Sequence, residues 1–204
     1  AFYVSPLGRA QDTAGCTLEK MHRTAKTCEW LREFAPRIAR PDRQDRKSIS
    51  WDWLPQDMER EQKYYDKDNW SYTKIMEDGG VRKEYDWVCE GLDDLLREHG
   101  YEREGLHYRA VRPNQDTIVL FCHFGVECVL LSHLINVSPM ILWHGFCATP
   151  TSITSIYTEE RRKGIASFRI NEFGSTEHLY VAGEKPSFSA RFCECYDVEE
   201  ERHD

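Results

Sequence analysis

The longest regular pattern of apolar and polar positions lies between residues 81 and 99. Val81, Tyr85, Val88, Cys89, Leu92, Leu95 and Leu96 recur at helical spacing, and Gly100 follows where a C-cap glycine belongs. This predicts an amphipathic helix over 81–99. Residues 117–122 read TIVLFC, a continuous apolar run of strand length that suits a parallel strand buried on both faces. His123-Phe124-Gly125 follows at once, and VECVLLSHLINV then returns to helical spacing as far as Ser138-Pro139. At the front of the chain AFYV is a short β-prone run. Ser5-Pro6 supplies an N-cap and a proline suited to the first helical position, so a helix is expected to start there. Residues 27–34, TCEWLREF, fit either a strand or a helix end, and we read them as a strand. LHYRAV precedes a turn at Pro113-Asn114. TSITSIYTEE and GIASFRINEF, on either side of the charged turn Arg161-Arg162-Lys163-Gly164, predict a β-hairpin. The tail from Cys193 to Asp204 is acidic and is expected to fray.

Alternating strands and helices, with no internal repeat and no low-complexity linker, predict a single α/β domain over residues 1–204. Its expected form is a three-layer α/β/α arrangement with a mostly parallel central sheet and a C-terminal β-hairpin. In such sheets ligands bind beyond the carboxyl ends of the strands. Two junctions qualify, residues 4–9 and residues 122–125, and they are expected to face one pocket.

Composition narrows the partners. The 204 residues carry a formal net charge of −8, with a pI near 5.5, which opposes a broad basic face; a nucleic acid is not an expected partner. No run of 18 apolar residues and no signal-peptide pattern occurs, so a cytoplasmic location with no membrane partner is the expectation. A targeting segment upstream of Ala1 would be invisible to that reading. The eight cysteines are scattered, several within apolar stretches, and are expected to be reduced and structural. Cys193-x-Cys195 is the one tight pair and lacks a second pair at zinc-site spacing, so no metal is expected.

At the first junction, free N–H groups in a first helical turn favour an anion, and Arg9 can add a planar fork for two phosphate oxygens. The plainer alternative is a surface arginine paired with Asp12. At the second, His123 ends a buried strand facing the crevice, where it can donate to a bound oxyanion. A core histidine satisfied by packing is the alternative. His133, inside the following helix, reads as packing or surface, while His144 in LWHGF remains a rival.

These residues carry a resemblance. SPLGRAQDTA is similar to the SPLxRAxxTA segment of the histidine phosphatase family, the phosphoglycerate-mutase-like group, and VLFCHFGV resembles its second histidine motif. Phe124 stands where the family commonly has glycine. The resemblance implies transfer of a phosphoryl group from a phosphomonoester to a histidine, followed by hydrolysis of the phosphohistidine, with no cofactor. It implies that Arg9 clamps the phosphate, that His123 stabilises the phosphoryl oxygens beside Phe124, and that Glu33 is the proton donor, with Glu29 and Asp52 as substitutes. A small phosphorylated metabolite or phosphate is the implied partner.

The chemistry is coherent, because donors stabilise the spread negative charge of a phosphoryl group in flight while a carboxylic acid protonates the departing alkoxide. The family's nucleophile lies in an Arg-His-Gly motif at the end of its first strand, and no Arg-His-Gly occurs here. His22 is on the wrong element, and His144-Gly145 follows Trp143. The chain therefore reads as an N-terminally truncated domain, inactive by itself. The absent family strand would lie beside residues 117–122, and its loss would leave unpaired backbone groups in the sheet.

Residues 48–80, with WDWLPQDMEREQKYYDKDNWSY at their centre, read as an aromatic-rich cap insertion or equally as the aromatic core of a helical excursion. The acidic residues in that stretch lean against bisphosphate substrates. Three functions stay open: a phosphomonoester hydrolase acting through phosphohistidine, a phosphoglycerate-mutase-type phosphotransferase, and a non-catalytic phospho-ligand-binding or interaction protein.

Overall fold

Two parallel strands meet the rest of the fold at the places where the motifs lie. In the computed structural model, which describes residues 1–43, 45–187 and 189, β1 (Phe2–Val4) leads into helix α1 (Gly8–Met21), and β2 (Lys26–Thr27) follows. β3 (Arg37–Ile38) and β4 (Ser48–Ile49) form a short antiparallel ribbon. The short helices α2 (Pro55–Met58) and α3 (Lys74–Asp78) precede the long helix α4 (Val81–Glu98). Next come β5 (Tyr101–Glu104), β6 (His107–Ala110), β7 (Val119–Phe121), α5 (Phe124–Ile135) and α6 (Pro139–Gly145). β8 (Ile153–Arg162), β9 (Ile165–Ser175) and α7 (Glu177–Val181) complete the described elements.

The fold is mixed α/β. One sheet is parallel, in the order β2-β1-β7, and a four-stranded sheet runs β5-β6-β9-β8. β5 and β6 pair antiparallel around Gly105-Leu106, a two-residue loop whose first residue is a glycine at φ +61°. In the parallel sheet Val4 is opposite Phe121, so the chain leaves β1 and β7 on the same side, at Ser5 and Cys122-His123. α1 packs Ala10 and Ala14 against Val4, with Leu18, Ala25 and Phe121 around them.

α4 buries Val81, Tyr85, Val88, Cys89, Leu92, Leu95 and Leu96, the seven positions of the helical pattern. α5 is buried on nearly every side, as its almost uninterrupted apolar sequence requires. The aromatic residues of 48–80 divide evenly: Trp70, Tyr64 and Trp53 are buried, with Trp70 packing edge-on to Tyr85 and Trp143, while Tyr65 and Tyr72 are exposed and Trp51 is half-buried.

Three expectations need correction. α1 starts at Gly8 with Leu7 as its N-cap, not at Ser5-Pro6, because the Ser5 hydroxyl is bound elsewhere and reaches only the Leu7 N–H, at 3.2 Å. Residues 27–34 are not a strand beyond Thr27: Glu29–Leu31 is a 3₁₀ turn, and Cys28, Leu31 and Phe34 are buried at its three-residue period. β7 is half-buried throughout, since it lies at one edge of the three strands rather than between two neighbours.

The contacts divide the chain into two compact units, Ala1–Gly145 with Thr158–Arg169, and Phe146–Tyr157 with Ile170–Asp204. In the second, Phe146 packs edge-on to Phe173, and the Gly174 N–H donates to Thr154 Oγ1 at 3.2 Å. Cys16, Cys28, Cys89, Cys122, Cys128 and Cys147 are free thiols. The acidic tail with its Cys193-x-Cys195 pair lies outside the described residues. No described helix is long and apolar enough to cross a membrane.

Candidate functional site

The parallel register of β1 and β7 brings two sequence-distant segments together. Ser5, one residue past β1, is fully buried, and its Oγ lies 2.8 Å from His123 Nε2. Arg9, in the first turn of α1, donates its Nε–H to His123 Nδ1 at 3.0 Å. A guanidinium only donates, so Nδ1 is the accepting nitrogen and the neutral ring carries its proton on Nε2, which donates to Ser5 Oγ. Burial, reinforced by the Arg9 charge, pushes the His123 pKa down to about 4. The ring is therefore uncharged at neutral pH. Arg9 itself is exposed, and its two Nη groups carry no hydrogen bond among the described residues.

Glu33 approaches from the loop after the 3₁₀ turn. Its Oε1 accepts from the Phe34 N–H at 2.9 Å and from the Val126 N–H at 3.1 Å, so the carboxylate caps the first turn of α5. Burial raises its pKa, opposed by those backbone donors, by the Arg9 charge and by the Gly125 N–H. The cap depends on Gly125, where a Cβ would stand 2.6 Å from Glu33 Oε1 and 2.9 Å from Trp51 Nε1. Phe124 presents a half-buried ring edge-on to Trp51, with centroids 5.9 Å apart.

Arg9, His123, Glu33 and Phe124, the residues expected from the sequence, thus converge at the N-terminus of α5. The alternatives go elsewhere. His144 accepts the Trp53 N–H at Nε2, 2.7 Å away, and its Nδ1 lies 2.6 Å from the Met140 carbonyl to which it donates, so both ring nitrogens serve packing. His133 binds Asp93 at 2.9 Å. Glu29 is exposed. Asp52 lies 3.6 Å from the buried Arg40 guanidinium. Among the described residues, no group of three or more His, Cys, Asp and Glu side chains could hold a metal ion.

Sequence reasoning missed Ser5 as the partner of His123 and missed Trp51 as a wall of the site. Ser5 could have been found, since a serine at the carboxyl end of a strand beside a histidine at the end of its neighbour is a natural hydrogen-bond pair. Nothing in the local sequence singles out Trp51 among six tryptophans.

No protein-family model matches the chain, and no curated protein matches it. Among solved structures, one described as mycobacterial hydrolase 1 is similar at 14% sequence identity and TM-score 0.46, covering 85% of this chain and 76% of that one. A likeness that loose carries neither a family nor an activity to this chain.

Proposed function

We propose that the chain is a histidine-phosphatase-type domain that binds a phosphomonoester at Arg9 and the N-terminus of α5, with Glu33 as proton donor to the leaving group. The observation that carries this reading is the bond from Arg9 Nε to His123 Nδ1. It fixes the guanidinium while leaving both Nη groups for an anion, the end-on fork that matches two phosphate oxygens. The Phe124 N–H, which Glu33 does not take, adds a helix-terminal donor. His123 orients Arg9. Glu33, held toward its protonated form by burial, gives its proton to the departing alkoxide oxygen and, once ionised, takes one from the attacking water. The reading carries with it a three-layer α/β/α arrangement closed by the hairpin of residues 151–175.

The phosphohistidine route needs a nucleophilic histidine, and these 204 residues contain no Arg-His-Gly. Both ring nitrogens of His123 are already engaged, which favours a second reading, phospho-ligand binding without turnover. Titration with inorganic phosphate followed by ³¹P NMR tests both. Arg9→Ala is expected to weaken binding at least about tenfold, the scale of one charge-assisted bidentate contact, and His133→Ala to leave it unchanged. Equal effects would mean the pocket is misplaced. Turnover of an aryl phosphate by the 204 residues alone would mean that a group among them serves as the nucleophile without an Arg-His-Gly motif. If a version extended by an Arg-His-Gly segment binds phosphate yet does not turn over, the hydrolase reading falls and the binding reading stands.

A further inference from the structure

Outside the four converging residues, Trp51 adjoins the site against Phe124 and Gly125. Its Nε1–H donates to the Phe34 carbonyl at 2.7 Å, while the Phe34 N–H donates to Glu33. One residue is thus pinned at both of its backbone polar groups, by the indole on one side and by the carboxylate on the other. Indole and carboxylate also share the niche over Gly125, where a Cβ would meet Glu33 Oε1 at 2.6 Å, Trp51 Nε1 at 2.9 Å and Trp51 Cε2 at 3.0 Å.

Trp51 is itself clamped from behind. Arg40, 2% exposed, makes a bidentate pair with Asp42 through Nε at 3.0 Å and Nη2 at 2.7 Å. Its Nη1 donates to the Trp51 carbonyl at 2.9 Å and to the Asp52 carbonyl. Asp52 sits at φ +68°, which a non-glycine residue holds only where its surroundings enforce it. A buried ion pair is weak evidence for stability, so its use here is better sought in what it orients. Trp53, Trp70 and Trp143 are buried in the core, whereas half-buried Trp51 faces the site.

We infer that Trp51, held by the Arg40–Asp42 pair, is a positioning residue that sets the place and the solvation of the Glu33 carboxylate. The inference deepens the proposed function and takes its catalytic meaning from that reading of Glu33. Other charged or titratable groups around Glu33 are Arg9 of α1, Cys122 after β7, Cys128 of α5, and Arg32 with Glu84 of α4, which line the same hollow. The variants below leave all of these in place.

The test is the titration midpoint of Glu33, read from its carboxyl ¹³C resonance in the full 204-residue chain. Trp51→Ala admits water beside the carboxylate, and the midpoint is expected to fall toward the ordinary carboxylate range. Trp51→Phe keeps ring volume and loses only the N–H; it is expected to move the midpoint the same way by less, and it keeps the test available if Trp51→Ala does not fold. Replacing the clamp as a unit, Arg40→Met with Asp42→Asn, is expected to lower the midpoint too, and to add nothing in the Trp51→Phe background beyond what Trp51→Ala does alone. An unchanged midpoint in natively folded Trp51→Phe, or fully additive shifts from clamp and tryptophan, would overturn the inference. The wild-type phosphate titration is read separately: phosphate binding can fail with the Trp51 effect intact, or hold with it absent.

Discussion

His123 is where strand end, serine and arginine meet, and its protonation is the most exposed consequence of that meeting. Its native pKa lies near 4, below the ordinary 6.5. A depressed histidine contributes stability that is full above about pH 6.5 and is lost as pH falls through 4. Urea unfolding from pH 7 to 4 is therefore expected to show a steeper loss for wild type than for His123→Gln. Glu33 has the opposite sign. Its native pKa is raised by burial, so its contribution is full below the ordinary carboxylate value and is lost as pH rises through the raised one. Glu33→Gln should accordingly gain on wild type as pH increases from acid to neutral in the same assay. Gly125 supplies a third test. In a helix alanine is favoured over glycine by about 1 kcal/mol, yet a Cβ here would press on both the carboxylate and Trp51. Gly125→Ala is expected to cost about 1–3 kcal/mol of unfolding free energy, with weaker phosphate binding.

Elements show where local pattern suffices. The seven apolar positions of α4 became its buried stripe because one face of a long helix has a single way to be hidden. Its glycine obeys a different rule. Gly91 is close against Trp30, where a Cβ would lie 2.4 Å from the indole Cγ. Gly91→Ala, which propensity alone would favour, is expected to destabilise by about 1–3 kcal/mol in chemical denaturation. The start of α1 shows local pattern failing. Ser5-Pro6 has the chemistry of a helix start, but the Ser5 hydroxyl is claimed by His123, 118 residues away, and the helix begins three residues later. The hairpin of β5 and β6 had a legible signal in Gly105 between alternating residues, one that the apolar periodicity did not bring out.

At the level of the whole molecule, a polar strut ties helices to strands within the larger unit. Arg103 of β5 donates to the His133 carbonyl at 3.0 Å, to Asn136 Oδ1 at 2.6 Å and to the Tyr108 hydroxyl at 3.1 Å. Tyr108 in turn donates to Asp93 of α4 at 2.7 Å. Tyr108→Phe, which leaves a half-buried carboxylate short of a donor, is expected to cost about 1–3 kcal/mol by urea unfolding, with the α4 and α5 amide signals moving together. By itself the sequence determined the α4 and α5 helices, the strand before His123, the mixed α/β class and the candidates Arg9 and His123, because periodicity, apolar runs and side-chain chemistry are properties of neighbours along the chain; Glu33 became a candidate only through the family resemblance. Only tertiary structure decided that Ser5 holds His123, that His144 and His133 are satisfied elsewhere, and that Trp51 walls Glu33. Those outcomes depend on which strand ends lie side by side and which backbone donors remain open there, and parallel pairing sets that between residues more than a hundred positions apart.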